Sequence, residues 1–393
     1  MLTPSVSFPL GSKSDKTRLL LLFTYCYTLL TAPFLLARFA LDVFLCLFPW
    51  TRPTKEWSLN QAARMRVVRL VLLYWSRLRW GDRLTLYPRG ERNRFEVVHP
   101  RSPKLYKGAL SDAVIKPEAI GTTWTPARPP PPALIRPELT VALHFHGGGF
   151  AIGNGRDEDT GYLARTLIQH MGCRFVCTPQ YRLSSGGSNG RFPAPVQDAL
   201  TAYLWLLHEK GIPARQIVLS GDSAGGTIAL GLLRYLHEHG AELGIPAPGA
   251  VALWSPWVDV AAALHQDMRH SPNYRTDYLN KGFGQWGAAS VSGYGAVDPS
   301  GPYLSPLHHP FQPPVAGLPM FVHGGDREVL WDDIQFVAQR YGDTGWKVHL
   351  DGSRHCPHDI LLLGSRIGFE REAEAAAREA REFLLATTDM KLR

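Results

Sequence analysis

The chain has 393 residues, 45% apolar and 19% charged, which suffices for one large α/β domain with an accessory segment and excludes general disorder. No Gly-X-Y period, heptad array or 20–50-residue repeat occurs, so collagen, long coiled coils and solenoids are excluded too. The net charge of +8 is uneven: residues 1–100 carry 15 Lys/Arg against 6 Asp/Glu, a balance of +9, and the rest sums to −1.

Positive charge beside apolar sequence suits an anionic membrane surface. Zinc-finger spacing, RNP-like motifs and Lys/Arg blocks are all missing, so no nucleic-acid partner is expected. The five cysteines, Cys26, Cys46, Cys173, Cys177 and Cys356, form no CxxC and no metal-ligand spacing. Neither a metal nor an organic cofactor is expected, since a P-loop and a dinucleotide-binding Gly motif are also missing.

After Lys13, Lys16 and Arg18 an uncharged run extends from Leu19 to Ala37, at the lower edge of bilayer-spanning length. It reads as a single N-terminal membrane anchor, with a cleaved signal and a cap helix over an apolar pocket as rivals. From Ala62 to Trp80 the pattern is helical and basic, with Arg66, Arg69 and Arg77 sharing one face. That helix is expected to lie on lipid headgroups or to form part of a lid.

From about residue 92 short β-rich runs alternate with helical ones. The expected strands are Phe95–His99, Thr140–Phe145, Arg174–Thr178, Ile217–Ser220, Ala250–Trp254, Met320–Val322 and Lys347–Leu350. The expected helices are Asp157–His170, Val196–Glu209, Ala224–His239, Asp332–Tyr341 and Arg366–Leu385. Such alternation predicts a mostly parallel sheet with helices on both faces. Arg128–Pro137 reads as a polyproline spacer. The Gly-rich stretch from about 260 to 306 interrupts the alternation as an inserted cap.

Two segments carry the chemistry. Ile217–Gly226 is a buried-strand pattern running through G-x-S-x-G into a helix, which sets Ser223 on a sharp turn at a helix N-terminus. Val141–Phe150 is a strand ending in HGGG. Its glycine amides at Gly147, Gly148 and Gly149, with that of Ala224, are candidates for an oxyanion hole. His146 is expected to brace this loop, and Asp222 to support the elbow by hydrogen bonding.

HGGGFAIG at 146–153, YRLSS at 181–185, RFPAPVQDALTAYLWLL at 191–207, GDSAGG at 221–226 and SPWVDV at 255–260 resemble the hormone-sensitive-lipase-like branch of the α/β-hydrolases. The resemblance implies a serine carboxylesterase of α/β-hydrolase fold, with an N-terminal and inserted cap, acting on hydrophobic esters. An N-terminal membrane segment on such a domain is similar to the fungal steryl acetyl hydrolases and arylacetamide deacetylases of the endoplasmic reticulum. One departure is the long SSGGSNG turn after YRL, which alters the local pocket wall.

The resemblance implies the triad order Ser, acid, His. Its acid register falls on Glu328, a glutamate where the family usually has aspartate, with Asp326 and Asp332 as competitors. Its base register falls on His358, with His355 as the rival. Residues 1–80 are thus expected to be an anchor and cap, and 81–393 the catalytic domain. The competing functions are a tailoring hydrolase of secondary metabolism cleaving ester, lactone or amide bonds, and a non-catalytic small-molecule receptor.

Overall fold

The computed structural model describes residues 15–135 and 139–392. Lys13 and the end of the Arg128–Pro137 spacer therefore lie outside the described residues. In chain order the elements begin with α1 (Asp15–Leu45), α2 (Leu59–Leu78), β1 (Phe95–Val98), β2 (Ile120–Thr125), β3 (Val141–Phe145), α3 (Asp157–Thr166), β4 (Phe175–Gln180) and α4 (Ala194–His208). They continue with β5 (Ile217–Asp222), α5 (Ala224–Tyr235), the short α6 (Ala241–Leu243), β6 (Ala250–Trp254), the short α7 (Ala262–His265) and α8 (Lys281–Val291). The last five are β7 (Pro319–Gly325), α9 (Trp331–Gly342), β8 (Lys347–Ser353), α10 (Ile360–Ile367) and α11 (Glu370–Thr387).

The eight strands form one sheet in the order β1-β2-β4-β3-β5-β6-β7-β8. β2 runs antiparallel to both β1 and β4, and every other pairing is parallel. β3, β5 and β6 are buried throughout, as expected of parallel strands covered on both faces. Each of the seven expected strands is present. β2 escaped the pattern reading because its Ile-Gly-Thr-Thr-Trp-Thr run is half threonine and does not alternate. It is nonetheless fully buried, with Thr122 Oγ1 pairing with Cys177 Sγ and Thr178 Oγ1 donating to the Thr123 carbonyl.

The helix expected over Arg366–Leu385 is broken in the structure. Gly368 adopts φ +84°, ending α10 at Ile367, and α11 starts two residues later. α10 itself was missed, although Asp359 followed by an apolar run is a helix-start signal. Its carboxylate accepts from the Leu362 amide.

α2 begins with a capping box: Ser58 accepts from the Gln61 amide, and the Gln61 side chain accepts from the Ser58 amide. The helix packs against α8 of the inserted segment and against α10. Its basic face departs from the headgroup-facing expectation. Arg69 donates to the carbonyls of Tyr274 (2.9 Å), Asp277 (2.6 Å) and Leu279 (3.0 Å), and lies over the Tyr274 ring. Arg64 donates to the Ser365 carbonyl and Arg77 to Thr31. These arginines hold protein together, because carbonyls of the cap and α10, and for Arg77 the Thr31 hydroxyl of α1, offer them better-fixed acceptors than water.

Arg69→Met should therefore loosen residues 274–279. Losing three charge-assisted hydrogen bonds and leaving carbonyls unpaired is expected to cost about 2–4 kcal/mol. Thermal unfolding should register a fall of several degrees, with Arg69→Lys intermediate because its ammonium cannot match the fork of the guanidinium.

Candidate active site

β5 delivers Ser223 at its carboxyl end with φ 49° and ψ −119°, a conformation that L-residues rarely adopt. Two glycines allow that turn. A Cβ on Gly221 would strike the Gly225 carbonyl, and one on Gly225 the Phe145 carbonyl. Close passage of strand and helix therefore leaves no room for any side chain at either position. The elbow is held by the Ser223 amide donating to the Trp254 carbonyl and the Trp257 amide donating back to Ser223 (both 2.9 Å).

The Ser223 hydroxyl donates to His358 Nε2 at 2.9 Å, and His358 Nδ1–H donates to Glu328 Oε2 at 2.5 Å. Glu328 Oε1 accepts from the Gly325 amide (2.7 Å) and the Ser255 hydroxyl (2.8 Å), so both carboxylate oxygens are satisfied although the side chain is fully buried. Ser255 Oγ in turn accepts from the Asp359 amide, joining the acid loop to the base loop. Burial disfavours the imidazolium of His358, but the Glu328 carboxylate outweighs it and raises the group above its ordinary 6.5. Burial likewise raises the Glu328 carboxyl, and the adjacent imidazole opposes it.

The rival residues lie elsewhere. Asp326 accepts from the His355 amide, and Asp332 is exposed in the first turn of α9. The His355 carbonyl accepts from Trp57 Nε1. His308 pairs with Asp259, His309 with the Ser300 carbonyl, and buried His323 with Ser353.

The HGGG turn lies beside the elbow. The Gly147 amide donates to Asp222 Oδ2 at 2.7 Å. That contact removes Gly147 from the expected set of free donors, because its N–H is already aimed at a buried carboxylate. Among the described residues the amides of Gly148, Gly149 and Ala224 have no protein acceptor, leaving three unclaimed N–H groups in the turn after β3 and at the start of α5. His146 braces the turn: its Nδ1–H donates to the Gly147 carbonyl, and its ring stacks on Tyr181, whose hydroxyl donates to the His146 carbonyl. Burial lowers His146 to about 4 and His144 to about 3, so both stay neutral near pH 7.

Asp222 supports the elbow through a buried relay. Trp254 Nε1 donates to Ser220 Oγ, Ser220 pairs with His144 Nδ1, and His144 Nε2–H donates to Asp222 Oδ1 at 2.7 Å. The Asp222 and Asp359 carboxyls lie close enough to influence each other's charge. Burial raises Asp222 to about 6, and burial with the neighbouring charge holds Asp359 well above the carboxylate range. The residue before the serine and the residue after the histidine thus lie close together.

Sequence reasoning missed the cap's grip on the acid loop. Asn273 Nδ2 donates to the carbonyls of Asp326 and Glu328, Thr276 Oγ1 to that of Arg327, and Asp277 Oδ2 accepts from the Val329 amide. Tyr278 meets the His358 ring edge-on at 5.7 Å between centroids, and Phe283 of α8 packs beside Gly149. Ser223 is only 8% exposed beneath this cover. Polar residues after an Asp-Met-Arg-His stretch carry no local signal of such contacts, which span more than 50 residues.

Residues 142–362 match a family model described as the alpha/beta hydrolase fold. The chain is 31% identical over 240 residues to an acetyl-hydrolase of Streptomyces hygroscopicus, covering 59% of this chain and 73% of that protein. It is 32% identical over 252 residues to the versiconal hemiacetal acetate esterase stcI of Emericella nidulans, covering 62% and 81%. A solved hormone-sensitive lipase from a metagenome library superposes with a TM-score of 0.55 at 25% identity, covering 68% of this chain and 82% of that one. An esterase of the bacterial hormone-sensitive lipase family shares the fold across 88% of this chain, at 23% identity and a TM-score of 0.55. With the sheet order, the strained serine turn and the HGGG loop in hand, the chain belongs to the α/β-hydrolase family, in its hormone-sensitive-lipase-like branch of carboxylic ester hydrolases.

Proposed function

We propose that this ester hydrolase removes acetyl or similarly short acyl groups from hydrophobic alcohols such as acetylated sterols or lipids. Ser223 is the nucleophile, His358 the general base and acid, and Glu328 the group that orients and stabilises the imidazolium. The observation that carries this reading is the unbroken hydrogen-bond chain Ser223–His358–Glu328 with three unclaimed amides beside it. The match to an acetyl-hydrolase and to an acetate esterase supports a short acyl group.

In the reaction His358 Nε2 takes the Ser223 proton as Oγ bonds to the ester carbonyl carbon. The carbonyl π electrons move to oxygen, where the amides of Gly148, Gly149 and Ala224 stabilise the negative charge. Collapse breaks the C–O bond to the alcohol, which leaves with the proton from His358. Water then repeats the cycle on the acyl-serine, releasing the acid and free enzyme.

Residues 1–80 form the membrane-attached and capping segment, 81–393 the catalytic domain, and 260–306 the inserted cap. Phe23–Leu45 is the one stretch among the described residues long and apolar enough to cross a membrane, with a mean hydropathy of 1.7. It supports attachment to a membrane such as that of the endoplasmic reticulum. Likeness to the versiconal hemiacetal acetate esterase favours a second reading, a tailoring hydrolase of secondary metabolism.

A p-nitrophenyl ester series from acetate to palmitate, run beside sterol acetates and a lactone and amide panel, tests these readings. The highest kcat/KM is expected on acetates. Preference for lactones or amides would favour the second reading, and hydrolysis of no substrate by folded protein would overturn both.

A further inference from the structure

The unusual feature outside the catalytic centre is the way α1 is packed. Only 6% of its most apolar window is buried, yet the covered positions fall on one line. Tyr25, Thr28, Ala32, Leu35, Phe39, Asp42 and Cys46 recur at spacings of three and four and are all partly or fully covered. This line faces α2. Near one end Tyr25 Oη donates to the Leu78 carbonyl, and the Arg77 guanidinium donates to Thr31 and lies over the Tyr27 ring. At the other end Arg52 donates to the carbonyls of Cys46 and Trp57 (both 2.8 Å).

Residue 25 therefore sits beside 78, and 46 beside 57, in an antiparallel hairpin. α2 is itself fastened to the catalytic domain: Gln61 donates to the Gly368 carbonyl, Arg64 to that of Ser365, and Arg69 to the cap. α1 thus runs antiparallel along α2 from Tyr25 to Cys46.

The remaining surface of α1 is apolar, with Phe23, Leu30, Phe34, Leu41 and Phe44 all at least half exposed. The exception on this surface is Arg38, whose side chain is 65% exposed and pairs with Asp42 at 3.2 Å. Arg38 stands one residue beyond the uncharged run Leu19–Ala37, within the apolar stretch that continues to Leu45. If α1 crossed the bilayer, α2, which lies along it from Leu78 to Trp57, would be carried into the hydrocarbon with Arg64, Arg69 and Arg77, where charged side chains are costly. With the helix in the plane, Arg38 reaches the headgroups along its methylenes.

We infer that α1 does not cross the bilayer but lies in one leaflet, parallel to the surface, as the lipid-facing layer of a hairpin whose second layer, α2, is part of the cap. The occupant of the exposed face is the acyl-chain region of a lipid bilayer. This rests on the membrane attachment proposed above, and sets the outermost layer of the cap, rather than a tether, against the membrane. A second copy of the chain is the competing occupant. It is disfavoured because the apolar surface wraps every side of α1 except the α2 seam, more than one flat dimer face would cover.

The test uses full-length protein and phosphatidylcholine vesicles containing anionic lipid. Cys26 is exposed and the other four cysteines are buried, so an environment-sensitive nitrobenzoxadiazole probe reacts there selectively. Further probes are introduced one at a time as Leu30→Cys, Ala37→Cys, Ala40→Cys and Phe44→Cys in a Cys26→Ser background. Hydrolysis of p-nitrophenyl acetate by each labelled protein reports folding and the catalytic reading independently.

The expected result is a blue shift on vesicle addition at every position, with quenching by shallow spin-labelled lipid exceeding that by deep label and depths agreeing within about 5 Å, the spread across one helix face. A depth profile with one deepest position that grows shallower along the helix by about 1.5 Å per residue would mean a spanning helix. That overturns the inference while membrane attachment stands. No shift at any position removes the attachment as well. A probe already shielded before lipid is added assigns the face to another copy and equally overturns the inference.

Discussion

Ser223→Ala is expected to lower kcat by on the order of 10³-fold or more while leaving the fold intact. The proposed mechanism places the bond-forming oxygen on this side chain alone, and alanine offers no group from which His358 can draw a proton. Ser223 is an 8%-exposed residue at a strained turn, and its hydroxyl is hydrogen-bonded to His358. The positive φ disfavours any Cβ residue similarly, so alanine adds no new strain. Stopped assays with p-nitrophenyl acetate give the rate. Intact-mass analysis after an organophosphate should detect one adduct that vanishes in the variant. An adduct on another residue, or full turnover by Ser223→Ala, would dismiss Ser223 as the nucleophile.

Glu328→Gln should cost on the order of 10³–10⁴-fold in kcat, comparable to amide replacement of a triad carboxylate elsewhere. A carboxylate accepts from His358 Nδ1–H and leaves Nε2 free to receive the serine proton. An amide can donate to Nδ1 instead, which fixes the wrong tautomer and withdraws the base. The same substitution has a pH signature. Catalysis needs neutral imidazole, so a pKa raised by Glu328 moves the acid limb of kcat/KM to higher pH, and activity climbs as pH rises through that value. Removing the carboxylate removes the attraction for the proton, so the limb of the residual activity should move to lower pH. Asp326→Asn should be much milder and leave the limb in place, because Asp326 is engaged with the His355 amide. A reversal of the two variants would assign the acid role to Asp326.

The parts of the site readable in advance were those encoded by adjacent residues. A β-rich run followed by Gly-Asp-Ser-Ala-Gly-Gly and a helical pattern dictates a tight strand–turn–helix, since only glycine fits where the Gly225 and Phe145 carbonyls pass. Three glycines after β3 similarly imply exposed amides, but not where each amide points. Gly147 is directed to Asp222, a residue 75 positions away, and no spacing within HGGG announces that.

Glu328 and His358 were reached through register within a resemblance, whereas the local residues left Asp326, Asp332 and His355 in contention. The distinction came from packing. Gly325, Ser255 and His358 converge on Glu328, while Asp326 is drawn to the His355 amide. β2 and α10 were passed over because threonine-rich burial and a helix opening directly after a catalytic loop break the periodicities that mark strands and helices.

By itself the sequence determined the α/β class, the strand–elbow–helix and the apolar N-terminal run, because hydrophobic period, glycine sterics and turn chemistry act over a few residues. Only the tertiary structure decided which amides stay free and how the cap clasps the acid loop. It also decided that Arg69 serves the cap and that α1 lies along α2. These contacts join residues from 46 to 210 positions apart, and such pairs are chosen by the packing of the whole chain, where burying a polar group without its partner costs more than any local preference can return.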